Sequence, residues 1–454
     1  MHFVLILAAL VATTLAEKAP TAAVEHAAAR CLFALAAMLL APVLAATMSA
    51  VVIRGIQRNA HDWATWMARF SWGQQLHAGL LVLLVGAISY GLAWPQIVRV
   101  NLGLGDWILL DDLLILAPVY VPLLLSWAVF YDVDRAVYEL TAEDDAPPSS
   151  PGRAQYVLLH ARHYLGLVLA PLLLVLGVYD AARWLAPEFT SGPHSWLLMT
   201  PLFAVLVVCM PRLIALLWKT ETIPPGERRD YLMDVLRQCR LRVRDIHVWH
   251  TDGRMTNAAV SGLWPSMRYV FLTDRLLQVL EADEVAAVMR HEAGHVVRHH
   301  LLLRMLLLGL PIVVWIALSQ AMPQTLTMCS EALASAGLSS YLQEALLLPC
   351  LVALYGLCVL GGYCKLLEYE ADLFAAEANA PALIMALCKI TAESGVDRRR
   401  EGWLHPSMVR RIGFVHRVRR APSRARQFRW QMRAIAAAII AGYLLSLFAI
   451  GLSV

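Results

Sequence analysis

The stretch ADEVAAVMRHEAGHVVRHHLLLRMLLLGLPIVVWIALSQ, residues 282–320, joins two patterns without a break. Ala282 to His300 has helical spacing and opens on Asp283 and Glu284, which face the partial positive charge of a helix N-terminus. The apolar run 305–322 then continues long enough to cross a bilayer as a helix. A polar helix therefore runs directly into a membrane span. On that helix His291 and His295 stand four residues apart and project from one face, a spacing at which two imidazoles can bind one Zn²⁺. Glu292 sits beside the first of them, placed to take a proton from an activated water rather than to ligate. A pentapeptide this short also arises by chance, so the surrounding chain has to be read with it.

Outward from this stretch the composition is that of a membrane protein. The 454 residues are 59% hydrophobic and 16% charged, and the apolar residues come in long blocks. Runs long enough to span lie at about 30–53, 77–95, 113–131, 164–180, 195–218, 305–322, 345–363 and 434–453. The N-terminal run 1–16 is a ninth candidate, read as a short first span in preference to a cleaved signal peptide because no basic segment precedes it. The net charge of +4, without a basic stripe bearing aromatics, speaks against a nucleic-acid partner. Eight cysteines form no CxxC pair and read as reduced, small apolar residues.

Basic residues order the spans. Region 219–304 carries Arg228, Arg229, Arg237, Arg240, Arg242 and Arg244, and region 364–433 carries Arg398 to Arg400 and a run from Arg410 to Arg433. The connection 323–344 has no Lys or Arg, so both polar regions read as cytoplasmic, joined by a membrane hairpin. Loops 54–76 and 132–161 fall on the same side, the second containing a Pro- and Ser-rich linker after Glu143. Asp111 and Asp112, at the edge of an apolar run, are expected at the membrane interface, with an internal polar cavity as the alternative.

Region 219–304 reads as a small α+β unit. Glu227 to Cys239 has helical spacing, and β-rich runs follow at Arg242–His250, Asn257–Leu263 and Arg268–Thr273. Asp252-Gly253 and Trp264-Pro265-Ser266 separate them as turns. Ala282 to His300 is expected to be one long helix.

A catalytic zinc needs a third protein ligand while one position stays open. His299 lies one turn past His295, but a straight helix surrounds a tetrahedral ion poorly with three of its own residues. The metzincin extension also fails, since Arg298 and Leu301 stand where it requires Gly and His. Glu368, in Glu368-Tyr369-Glu370-Ala371-Asp372, is the better candidate, because the hairpin returns the chain to the same membrane face. Asp372 shares its helix face and can orient a ligand histidine through the free ring N–H. Glu370 points elsewhere, and His299 and His300 read as polar residues at the membrane boundary.

His-Glu-x-x-His followed after two spans by Glu-x-x-x-Asp resembles the membrane gluzincins that include HtpX and the type I CAAX prenyl proteases. Asn257-Ala258-Ala259-Val260-Ser261-Gly262 resembles the family's Asn-Ala edge strand. Val270-Phe271-Leu272-Thr273-Asp274 resembles its strand-to-helix step, and His405-Pro406 with Arg411 resembles its late His-Pro…Arg element. The resemblance covers roughly 219–420. It implies one zinc per chain held by His291, His295 and Glu368, with Glu292 as general base and Asp372 supporting a ligand. It implies further that His405 and Arg411 position substrate or stabilise the oxyanion. Asn257 and Ala258 would begin a strand that holds an extended peptide by β-augmentation.

The expected architecture is a mostly α, multi-pass membrane protein with eight or nine transmembrane helices and a small cytoplasmic α+β zincin-like catalytic domain. Its parts are a multi-span region 1–218, catalytic segments 219–304 and 364–433, the hairpin 305–363 between them, and a last helix in 434–454. The expected function is a zinc metalloendopeptidase acting on membrane-associated or unfolded proteins at the cytoplasmic face. Membrane sensors of the BlaR/MecR type also pair a zinc helix with several spans, and are the alternative.

Overall fold

The computed structural model describes residues 2–17, 19–141, 152–191, 196–253, 255–335, 350–394 and 397–453. The linker after Glu143 lies outside them. The chain divides into two compact units, one formed by Met1–Leu206 with Leu333–Pro349, the other by Val207–Ala332 with Cys350–Val454. Among the described residues, seven helices are long and apolar enough to cross a membrane: Ala27–Arg58, Ala60–Gly91, Arg153–Leu185, Thr200–Leu217, His300–Ala321, Cys350–Glu393 and Pro422–Gly451. The molecule is thus a multi-pass membrane protein with a small sheet-bearing domain.

In the first unit the N-terminal apolar run forms helix α1 (His2–Glu17). Its Leu5, Ala8, Ala12 and Leu15 recur every three or four residues and are fully buried. They join a core with residues of α2 (Leu40–Arg58), α3 (Trp63–Gly86) and α4 (Ala117–Thr141). The run 113–131 lies mostly within α4. Asp111 and Asp112 are both buried within the protein, where the Arg99 guanidinium reaches them at 2.8 and 3.4 Å and supplies the countercharge.

The second unit carries a four-stranded sheet of β1 (Thr220–Thr222), β2 (Asp245–Trp249), β3 (Ala258–Ser261) and β4 (Tyr269–Thr273), in the order β1-β2-β4-β3. β2 and β4 are parallel, with Ile246 opposite Val270, and β3 runs antiparallel to β4, with Val260 opposite Val270. All five β4 residues are buried, as suits a central strand covered on both faces. Three of these strands fall within the runs expected from sequence. The fourth, β1, is a three-residue polar edge segment too short to carry a period.

α5 (Glu227–Gln238) and α6 (Ala282–Val297) cover one face of the sheet through Leu232, Val235, Leu236, Val285, Ala286 and Met289, which pack against Ile246, Val270 and Leu272. Paired Glu281 and Glu284 side chains cap the start of α6. α8 (Gly361–Ser394) crosses α6, and the crossing is close because small residues line it. Ala287, Ala371 and Ala375 are fully buried, and a Cβ on Gly294 would sit only 3.2 Å from the Ala371 Cα. A side chain here would press on the second backbone.

The expected single helix over 282–300 is instead two. α6 ends at Val297, His299 takes a left-handed conformation with φ 58°, and α7 (His300–Ala321) starts from it. The apolar period continues through this point, so nothing in the pattern marks the break. The last parts are α9 (Met408–Arg420), capped by the Ser407 hydroxyl, and α10 (Pro422–Ser453).

Candidate active site

His291 and His295 come from one face of α6, and their Nε2 atoms are 3.3 Å apart. The crossing of α8 brings in Glu368, whose Oε2 lies 3.6 Å from His291 Nε2 and whose Oε1 lies 3.6 Å from His295 Nε2. Donor atoms about 2.0–2.1 Å from a tetrahedral zinc stand roughly 3.3–3.4 Å from one another. The two ring nitrogens stand at that spacing, and one Glu368 oxygen approaches each of them, so the three side chains converge on a space suited to one zinc ion. A Glu292 carboxylate oxygen lies with the two imidazole nitrogens in a group no more than 4.8 Å across.

The electrostatics suit a cation. Burial works against protonation of His291, yet hydrogen bonds to Asp372 and Glu368 outweigh it and hold the imidazole up to about 9. Burial, and then the neighbouring His291, keep His295 well below the ordinary histidine value. The pair thus favours positive charge on the His291 side of the cluster. Removal from water, with Glu368 close by, pushes the Glu292 carboxyl up to about 7.

Two further residues hold this arrangement from behind. Asp372 is completely buried, and its Oδ1 lies 3.0 Å from His291 Nδ1. Arg411, in the first turn of α9, forks onto the same carboxylate through Nε and Nη2 at 2.8 and 2.6 Å. His405 Nδ1 is 3.2 Å from Glu368 Oε2, and its side chain is largely exposed at 63%.

These residues meet at one end of a cavity of about 850 Å³. Asn257, Ala258, Ala259 and Val260 of the β3 edge line it, as do Leu276, Leu383, Leu387 and Ile390. Asn257 is tied to Thr273 by hydrogen bonds in both directions, and Gly262, with φ 121°, ends the edge strand against the Arg268 backbone. Arg268 then secures the following loop by donating to the carbonyls of Gly262, Leu263 and Arg242.

All nine site residues expected from sequence lie in this second unit, gathered around the cavity and the support behind it. Three more belong with them. Arg304 donates to Glu368 Oε1 at 3.2 Å, and buried His300 bridges His295 and Glu370. The available signal was a charged residue and a histidine four apart at the start of an apolar span, where a polar side chain is costly unless used. His299, by contrast, is exposed and in the left-handed turn.

Residues 230–419 match the sequence family described as Peptidase family M48. A protease HtpX homolog from Thermoplasma acidophilum is 28% identical over 123 residues, covering 25% of this chain. The match spans only 38% of that relative's own length. The crystal structure of S. mikatae Ste24p aligns over 86% of this chain and 99% of its own, at 16% identity and a TM-score of 0.44. The matched segment, 230–419, holds every residue of the candidate centre, so it is in this part of the chain that the similarity to the M48 peptidases lies.

Proposed function

We propose that this protein is a zinc-dependent integral-membrane endopeptidase that cleaves membrane-associated or unfolded protein segments. The observation that carries the reading is the convergence of His291 Nε2 and His295 Nε2, 3.3 Å apart, with a Glu368 carboxylate oxygen 3.6 Å from each, on a cavity beside an edge strand. When bound there, zinc would make water nucleophilic near neutral pH and polarise a peptide carbonyl.

The chain's own residues divide the remaining work. The β3 edge, from Asn257 and Ala258 onward, aligns an extended peptide by backbone hydrogen bonds along the cavity. Glu292 accepts a proton from the attacking water and returns it to the departing amine nitrogen. Its place beside the two imidazole nitrogens lets one carboxylate serve both transfers. His405, exposed beside Glu368, is free to turn its ring toward the oxyanion at the scissile carbonyl. Arg411 is engaged by Asp372, so its part is to fix Asp372 and through it His291.

We place the catalytic region on the cytoplasmic side, because the arginines of 219–304 and 364–433 contrast with a connection, 323–344, that lacks Lys and Arg. The decisive assay is hydrolysis of an unfolded protein by the purified full chain in detergent. Activity that a zinc chelator removes and added zinc restores supports the reading; chelator-resistant hydrolysis, or none in the zinc-loaded protein, overturns it. Protease accessibility of the His405 loop in sealed inside-out vesicles tests the sidedness.

A further inference from the structure

A histidine that binds a metal through one ring nitrogen is held in orientation by what its other nitrogen meets. For His291 that partner is Asp372, in direct contact. His295 has no carboxylate on its Nδ1. That atom instead lies 2.9 Å from Nδ1 of His300, and His300 Nε2 lies 3.1 Å from Glu370 Oε2. His300 is fully buried and the Glu370 side chain is 11% exposed, so neither has water as an easy substitute.

The hydrogen-bond inventory admits one consistent direction. His295 Nε2 faces His291 and Glu368, so its proton belongs on Nδ1, which donates to the Nδ1 lone pair of His300. His300 then carries its own proton on Nε2 and donates it to Glu370. In the reverse direction a neutral His300 would set the lone pair of Nε2 against a carboxylate, and His295 would aim an N–H at the other ligands.

Helix geometry shows why an intermediary is needed. Two residues along α8 from Glu368, Glu370 lies about 160° around the helix and cannot reach the same side of the centre. Asp372, four residues along, can. The left-handed turn at His299 starts α7 so that its first residue falls between His295 and Glu370.

We propose that His300 and Glu370 are positioning residues for His295, a two-step counterpart of Asp372 on His291. The inference rests on the metal-centre reading above. In the metal-loaded state the relay fixes the ring angle of His295 and raises its basicity toward the ion.

The test compares His300→Leu with His300→Asn, two side chains of similar shape of which only the second keeps an acceptor near the Nδ1 position. Zinc affinity of the full-length protein in detergent is measured by chelator competition, alongside the absorption spectrum of the cobalt-substituted form and the unfolding temperature of the metal-free form. The parent is expected to bind one zinc, His300→Leu to bind it roughly 10–100-fold more weakly with an altered cobalt spectrum, and His300→Asn to regain most of the loss. Equal unfolding temperatures for the two metal-free variants would show that the difference is not one of folding. If the parent binds zinc and both variants match it, or both lose the same affinity, the relay is wrong while the metal centre stands. A parent that binds no zinc overturns the metal centre and the relay together.

Discussion

Arg411 grips Asp372 from behind the candidate metal site, with two charge-assisted hydrogen bonds of 2.8 and 2.6 Å between side chains that are both buried. Breaking a buried pair by removing one partner costs about 3–5 kcal/mol, because the other charge is left without compensation. Arg411→Ala is therefore expected to lower the unfolding temperature in detergent and to weaken zinc binding. Arg411→Lys should recover only part of either, since an ammonium cannot make the fork. Calorimetry and chelator competition on the three proteins check this; a fully restored lysine variant would contradict it.

Glu292→Gln should keep one zinc per chain and lose about 10²–10⁴-fold in peptide hydrolysis, the range ascribed to a positioned general base. Metal analysis and an activity assay on the same preparation separate the two effects. A variant that cleaves at the parental rate would remove Glu292 from the mechanism.

The two candidates for third ligand give opposite expectations. Glu368→Ala should leave Arg304 and His405 without their shared carboxylate and the zinc without a ligand, so bound metal should fall far below one equivalent. His299→Gly should retain one zinc and unfold at no lower temperature, because glycine takes φ 58° without a Cβ penalty. Zinc content by atomic absorption decides between them. Loss of metal from the glycine variant alone would return His299 to the site.

Gly294 tests the helix crossing. Its added Cβ would stand 3.2 Å from the Ala371 Cα and 3.3 Å from Phe374 Cβ, so Gly294→Ala asks the helices to part slightly. Gly294→Val asks for more, at a cost of about 1–3 kcal/mol. The expected order of zinc affinity is parent, alanine, valine. An unchanged valine variant would show that α6 and α8 do not need this closeness to gather the ligands.

Much of this molecule was legible from local pattern. The span of each apolar run follows from bilayer thickness and helix rise, and the shared face of His291 and His295 follows from 3.6 residues per turn. Three strands could be bracketed because turn residues bound their β-branched and aromatic runs. β1, which has neither length nor alternation, was not legible. Neither was the break at His299: a positive φ at a non-glycine residue is imposed by the packing on either side of it.

What the sequence alone determined is the class of chemistry: two imidazoles and an acid on one helical face, next to a membrane, with a second acidic cluster two spans later. Only the tertiary structure decided which side chains converge. Glu368 reaches both imidazoles because Gly294 and three buried alanines let α8 press against α6, and His300 reaches His295 because the chain turns left-handed between them. The physical reason is range. Helix period relates residues within a few turns, whereas His291 and Arg411 are 120 positions apart and meet only through the packing of separate helices around a common buried charge.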